Sequence, residues 1–269
     1  MMPPPCKKSN ACRCANPRGN IMSGTKSAFQ MAPATKPAAI IVAHGQPSDP
    51  QPAEQALGDV AVRVAQHLPR WTITSATMAA KGALEQALDQ HPTAAIYPLF
   101  MADGWFTGTA LPDRLLQHGR TVLPPLGLDK NLPLLAADIL TDRLHDLDWN
   151  MRETRLLIAA HGGQHSPNPA RAARHFAAVL GKVTHFTDIR LGFVEETPLL
   201  PEAAQNLGPR TLCLPFFAAN GHHVRKDIPA ALTSAGFEGI VLGPLGIAPQ
   251  IPDLIAQSLR QSHRQKDAA

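Results

Sequence analysis

No apolar run in the 269-residue chain approaches the roughly 18 residues that a membrane-crossing helix needs, so no membrane partner is expected. Acidic side chains are missing altogether from the first 36 residues. Lys7, Lys8, Arg13, Arg18, Lys26 and Lys36 there take six of the 25 basic side chains, which leaves 19 against 21 acidic ones over residues 37–269. The formal net charge of +4 therefore belongs to a tail, and the near-neutral remainder argues against a nucleic-acid groove. The tail lacks the apolar stretch of a secretory signal, which points to the cytoplasm. Its Pro, Ser, Asn and Gly predict disorder over residues 1–36, and Met22 and Met31 are alternative starts. Cysteine is scarce. Cys6, Cys12 and Cys14 lie in the tail without the C-x-x-C spacing of a metal or cluster site, and Cys213 sits inside an apolar strand and reads as core. No disulfide framework and no long His-rich tract is present, and the latter weighs against a metal-storage protein. Neither an Arg-His-Gly sequence nor a phosphate-binding glycine loop occurs, which weighs against a phosphatase.

What the chain does contain is the same pattern twice. Ile40-Ile41-Val42-Ala43-His44-Gly45 recurs as Leu157-Ile158-Ala159-Ala160-His161-Gly162, 117 residues later. Tyr97-Pro98-Leu99-Phe100 recurs as Leu214-Pro215-Phe216-Phe217, Gly104 as Gly221, and Leu111-Pro112 as Ile228-Pro229, at the same offset of 117 without a gap. Two copies of one unit are expected, over residues 37–150 and 151–269. They differ after the glycine. Gly221 precedes His222-His223-Val224-Arg225-Lys226-Asp227, whereas Gly104 precedes Trp105-Phe106-Thr107-Gly108-Thr109-Ala110, so chemistry is expected to concentrate in the C-terminal half.

Each half opens with a short β-branched run, Ala39–Ala43 or Leu156–Ala160, suited to a parallel strand buried on both faces. A helical pattern follows, with Ala56, Val60, Val64 and His67 on one face of the first and Ala172, Phe176, Val179 and Leu180 on one face of the second. Further strands are expected at Trp71–Ser75, Ala94–Leu99 and from Val122, and at Ile189–Val194, Thr211–Phe216 and from Val241. A last helix, Leu132–Leu144 or Ile251–His263, is expected to close each unit. The result is an α/β protein with two similar lobes, each a parallel sheet flanked by helices, and a cleft between them. Both His161 and the loop carrying His223 follow strand ends, where open α/β sheets bind ligands, so the two are expected to converge.

The C-terminal half contains Ala160-His161-Gly162, Phe193-Val194-Glu195, Pro215-Phe216-Phe217 and Gly221-His222-His223-Val224-Arg225-Lys226-Asp227-Ile228-Pro229. These residues resemble the class II chelatases, which insert a divalent metal into tetrapyrroles without ATP, and within them the sirohydrochlorin cobaltochelatase and ferrochelatase branch. The resemblance covers roughly residues 37–262. It implies that His161 and His223 hold the metal and assist pyrrole deprotonation, with Glu195 as a third participant. It also implies a tetrapyrrole and a divalent ion as partners and no cofactor beyond that metal substrate, Co²⁺ being favoured over Fe²⁺ or Ni²⁺. The N-terminal half departs from the pattern. His44 survives, Phe106 occupies the histidine slot, and Thr77 or Met78 lies near the glutamate slot.

The chemistry matches the residue types. Imidazole suits borderline ions, a carboxylate adds charge neutralisation, and three protein donors leave positions open for incoming nitrogens. Histidine also accepts protons near neutral pH. Glu196 competes with Glu195, because strand alternation lets only one face the site. Arg225 and Lys226, beside His223, are first candidates for the acidic arms of the substrate, and Arg171 and Arg174 second ones. His222 and His165 are candidates for outer contacts. A nonenzymatic cobalt or nickel carrier and a degenerate tetrapyrrole-binding protein are the rival readings.

Overall fold

The computed structural model describes residues 36–104, 106–115, 120–163 and 166–268. The tail with Cys6, Cys12 and Cys14, the alternative starts, Trp105 and His165 lie outside the described residues. The first half runs β1 (Ala38–Ala43), α1 (Pro50–His67), β2 (Thr72–Thr77), α2 (Ala83–Gln90) and β3 (Ala95–Pro98). A π-turn (Phe106–Ala110), α3 (Leu111–Leu115) and α4 (Leu132–Asp146) follow. The second half runs β4 (Arg155–Ala160), α5 (Asn168–Val183), β5 (Asp188–Phe193), α6 (Leu200–Ala204) and β6 (Thr211–Phe216). It continues with a second π-turn (His223–Asp227), α7 (Ile228–Ser234), β7 (Ile240–Val241) and α8 (Ile251–Asp267). The sheets have the orders β2-β1-β3 and β5-β4-β6-β7, with every pair parallel. Proline stands in the first helical turn of α1, α4, α5, α6, α7 and α8, where the missing N–H costs no hydrogen bond.

Alternation along the central strands sends neighbours to opposite faces. Ile40 and Val42 join α2 and α3 in one apolar cluster, while Ile41 faces a second cluster with α1. In the second sheet Leu157, Ala159 and Cys213 face α6 and α7, while Ile158 and Leu214 face α5. The inner faces of both sheets share one continuous core with α1, α4, α5 and α8. Burial pushes the Cys213 thiol up to about 12, so it is an inert core group, as its strand position predicted. The buried face of α1 is Leu57, Val60, Ala61 and Val64; Ala56 and His67, expected on it, are exposed.

Two expectations need correction. The fourth strand of each half is a remnant: Val122 makes a single bridge to Ile96, and β7 spans two residues. Pro124 and Pro125 in one half, and Gly243-Pro244 in the other, remove donors and β-propensity where the strand would have continued. The last helices are also exchanged. α8 packs chiefly against α1 and β3, and α4 packs against α5, so each half is closed by the helix of the other. Arg260 donates to the His67 carbonyl, Ser258 Oγ donates to Asp129 Oδ2 at 2.5 Å, and the Trp71 and His263 rings meet edge-on at 5.2 Å. The three-stranded first sheet buries its inner face under α1, and α8 supplies the second helix that this face requires.

Candidate metal centre

Three strand ends deliver the site. His161 follows β4, an inner strand that lies between β5 and β6; Glu195 lies two residues beyond β5 on one side; His223 opens the π-turn beyond β6 on the other. Parallel pairing continues past the strands, with Val194 N–H donating to Ala160 O and Glu195 N–H to His161 O, both at 3.0 Å. That pairing fixes Glu195 beside His161. Gly162 then turns the chain with φ of +74°, and a Cβ there would lie 2.7 Å from Glu196 Cγ. The approach to His223 is braced by Gly246, whose N–H donates to Phe217 O at 2.9 Å. A Cβ on Gly246 would fall 2.5 Å from Ala218 Cα, so only glycine lets the two segments meet.

His161, Glu195 and His223 come together, each offering a donor atom within 4.8 Å of the others. The two Nε2 atoms are 3.1 Å apart, with ring centroids at 4.5 Å and planes at 81°. Each Nδ1 faces acceptors. His161 Nδ1 lies 3.0 Å from Gly162 O and 3.5 Å from Glu195 Oε2, and His223 Nδ1 lies 2.6 Å from Asp227 Oδ2. Donation from each Nδ1–H to these acceptors is the tautomer that frees both Nε2 atoms, which lie within hydrogen-bonding distance of each other. At that separation the two nitrogens can share one positive centre, a proton or a metal ion. An ion at the usual 2.0–2.1 Å from each nitrogen would subtend roughly 100°, within the range of tetrahedral or octahedral coordination. The side chains of His161, Glu195 and His223 are 40%, 34% and 35% exposed, so the donors are open to a large partner. A separate cavity of about 420 Å³, lined by Leu128, Asp129, Lys130 and Ser258 among others, includes none of them.

The two glutamates take different partners. Glu196 Oε2 accepts the Gly163 N–H at 3.0 Å, and its Oε1 accepts from Arg174 at 2.9 Å. Arg174 lies 5.0 Å above the Phe193 ring, so this pair clamps the loop after His161 and leaves Glu195 to face the histidines. Arg171 pairs with Asp103 at 3.6 Å, so both second candidates for substrate arms have protein partners. Arg225 and Lys226 are exposed on the π-turn that carries His223. His222 is exposed, with Nε2 at 3.9 Å from Asp227 Oδ1. Sequence reasoning quoted Asp227 but gave it no task; its signal was the spacing of four from His223, which places the two on one face of a helical turn.

The N-terminal half keeps the backbone of this arrangement but only His44 of its three donors. Ala79 N–H donates to His44 O at 2.9 Å, as Glu195 N–H does to His161 O, so the glutamate slot is Ala79 rather than Thr77 or Met78. The repeat offset is therefore 116 at this point and not the ungapped 117, because β2 and β5 end one residue out of step. Thr77 is fully buried, its Oγ1 accepting the Ala80 N–H at 3.2 Å. The π-turn Phe106–Ala110 matches His223–Asp227, with Phe106 at the position of His223 and Ala110 at that of Asp227.

Residues 155–262 match the sequence model of the CbiX family. The chain is similar to a solved CbiX described as the terminal enzyme for biosynthesis of siroheme in denitrifying bacteria, at 44% identity and a TM-score of 0.76. That match covers 84% of this chain and 98% of the other. The fold is also that of SirB from Bacillus subtilis with Fe³⁺, at 14% identity and a TM-score of 0.70, covering 87% of this chain and 98% of that one. DR2241 from Deinococcus radiodurans, a multi-domain protein with structural similarity to chelatases, matches at 19% identity and 0.66, covering 83% of this chain and 55% of that one. No curated protein sequence matches the chain.

Proposed function

The chain belongs to the CbiX family of class II tetrapyrrole chelatases, and from that premise we propose that it inserts a divalent metal into sirohydrochlorin at His161, His223 and Glu195. The observation that carries the reading is the pair of Nε2 atoms 3.1 Å apart with a carboxylate behind each ring. In this reading the two imidazoles and Glu195 hold the ion on the side of the site that the macrocycle approaches. The open donor set lets pyrrole nitrogens replace protein ligands one at a time, and imidazoles freed of metal accept the two displaced protons. Arg225 and Lys226 meet acidic arms of the substrate, and the N-terminal half, which keeps only His44 of the three donors, forms an opposing wall of the tetrapyrrole site. No cofactor takes part beyond the metal being inserted.

Fe²⁺ is the metal we favour, because the relative at 44% identity is described as a terminal enzyme of siroheme biosynthesis. Co²⁺, favoured on the sequence resemblance alone, is the second reading, since imidazole and carboxylate bind it slightly better than Fe²⁺. The chelatase assignment predicts that anaerobic incubation with sirohydrochlorin and either ion changes the macrocycle absorbance at a rate proportional to protein. Absence of that change with both ions sinks it. The gene is expected to restore growth to a sirohaem auxotroph lacking its ferrochelatase; rescue confined to a strain lacking cobalt chelatase reverses the choice of metal and keeps the chemistry.

A further inference from the structure

Asp227 meets His223 at the ring nitrogen opposite the one that faces His161. Its Oδ2 accepts the Nδ1–H of His223 at 2.6 Å, short enough for a charge-assisted hydrogen bond. The neighbouring His222 lies at 3.9 Å from Oδ1, beyond hydrogen-bonding distance, and Arg225 and Lys226 on the same turn are exposed. His223 is thus the partner that Asp227 serves.

The N-terminal half acts as an internal control. Its π-turn Phe106–Ala110 forms with alanine at the aspartate position, so the backbone turn does not need the carboxylate. Aspartate stands where histidine stands and is gone where histidine is gone. Glu195 follows the same rule, being replaced by Ala79. A carboxylate needed for folding of the turn would have been kept in both halves; one needed by the imidazole is kept in one.

We propose that Asp227 is a positioning residue: it holds His223 as the Nδ1–H tautomer and turns the ring so that Nε2 faces His161 and the incoming metal ion. The proposal rests on the reading of this centre as a metal site. A neutral imidazole has one lone pair, and whichever nitrogen carries the hydrogen cannot bind the ion. Without an acceptor at Nδ1, the ring is free to exchange tautomers and to rotate. A carboxylate on Nδ1–H ends both freedoms and makes Nε2 a better donor, as such partners do at metal-binding histidines.

The test measures Co²⁺ binding to the full chain by calorimetry, without tetrapyrrole, for the wild type, Asp227→Ala and Asp227→Asn. It adds ¹⁵N-histidine spectra of the Zn²⁺-loaded chain to identify the nitrogen of His223 that carries hydrogen. Asp227→Ala is expected to weaken Co²⁺ binding by about 10- to 100-fold. The melting temperature should hold, and His223 should lose its fixed Nδ1–H signature. Asp227→Asn, whose side-chain carbonyl still accepts from Nδ1–H, should recover part of the affinity and the tautomer. Co²⁺ affinity within twofold of wild type in Asp227→Ala, with Nδ1–H retained, overturns the proposal. So does a loss of affinity that tracks a fall in melting temperature in both variants, which marks a purely structural role. Should the chain fail to metallate sirohydrochlorin while the Co²⁺ effect remains, the chelatase reading falls and this one stands.

Discussion

His223→Ala is expected to lower metal insertion by more than about a hundredfold, since even the hydrogen-bond partners of metal-binding histidines are worth 10- to 100-fold. His161→Ala should match it, because each removes one of the two Nε2 donors that face each other at 3.1 Å. Stability is expected to change little. The two side chains are 40% and 35% exposed, and truncating groups this accessible, away from the core, shifts stability by about 0.5 kcal/mol, or roughly 2 °C in a chain of this size. His44→Ala is the matched control. It stands at the same strand end in the other half, but with Ala79 and Ala110 where the second half has Glu195 and Asp227, and should change the rate less than about threefold. Initial rates with sirohydrochlorin at saturating metal decide the matter. Near-normal rates in both His161→Ala and His223→Ala remove these residues from the mechanism, and a His44→Ala loss as deep as theirs brings the first half into it.

Ending the chain at Gln250 is expected to prevent folding of residues 36–250 as a native unit. The lost helix α8 buries Ile251, Leu254, Ile255 and Leu259, which are 1%, 5%, 0% and 0% exposed. Stripping one such side chain from a core costs about 2–5 kcal/mol, so four approach or exceed the roughly 5–15 kcal/mol that holds a whole domain together. The damage should fall on the first half, because α8 packs on α1 and β3. Hydrogen exchange on the truncated chain checks this: protection should vanish from β1 and β3 as well as from the region next to the cut. A truncated chain that melts cooperatively near the full-length temperature contradicts the exchange of helices.

Much of this was legible beforehand. β4 and β6 were readable because runs such as Leu156–Ala160 and Thr211–Phe216 are continuously apolar, and strands with both faces buried have no other pattern to show. His161 and His223 were readable because both follow strand ends. The glutamate slot of the first half was misplaced because Thr77, Met78 and Ala79 offer no side chain to anchor an alignment, and only the backbone bond from Ala79 to His44 fixes the register. The choice between Glu195 and Glu196 needed Gly163 and Arg174, which are distant in sequence from both. The exchange of α4 and α8 left no trace at all. An amphipathic helix encodes that one face is buried, and either sheet would have satisfied it.

That exchange also sets a timetable for a nascent chain. The strands of the first sheet are complete once Pro98 has been added, but the helix that finishes covering them, Ile251–Asp267, is made only after every strand of both sheets. About 170 residues separate the two events, which at roughly 5–20 residues per second is about 10–35 seconds of synthesis. During that interval the inner surface of β3 and the flank of α1 stand uncovered on the ribosome. A chaperone that binds apolar segments has its target there, and a message stalled or terminated before Ile251 releases a product whose first sheet is the least finished.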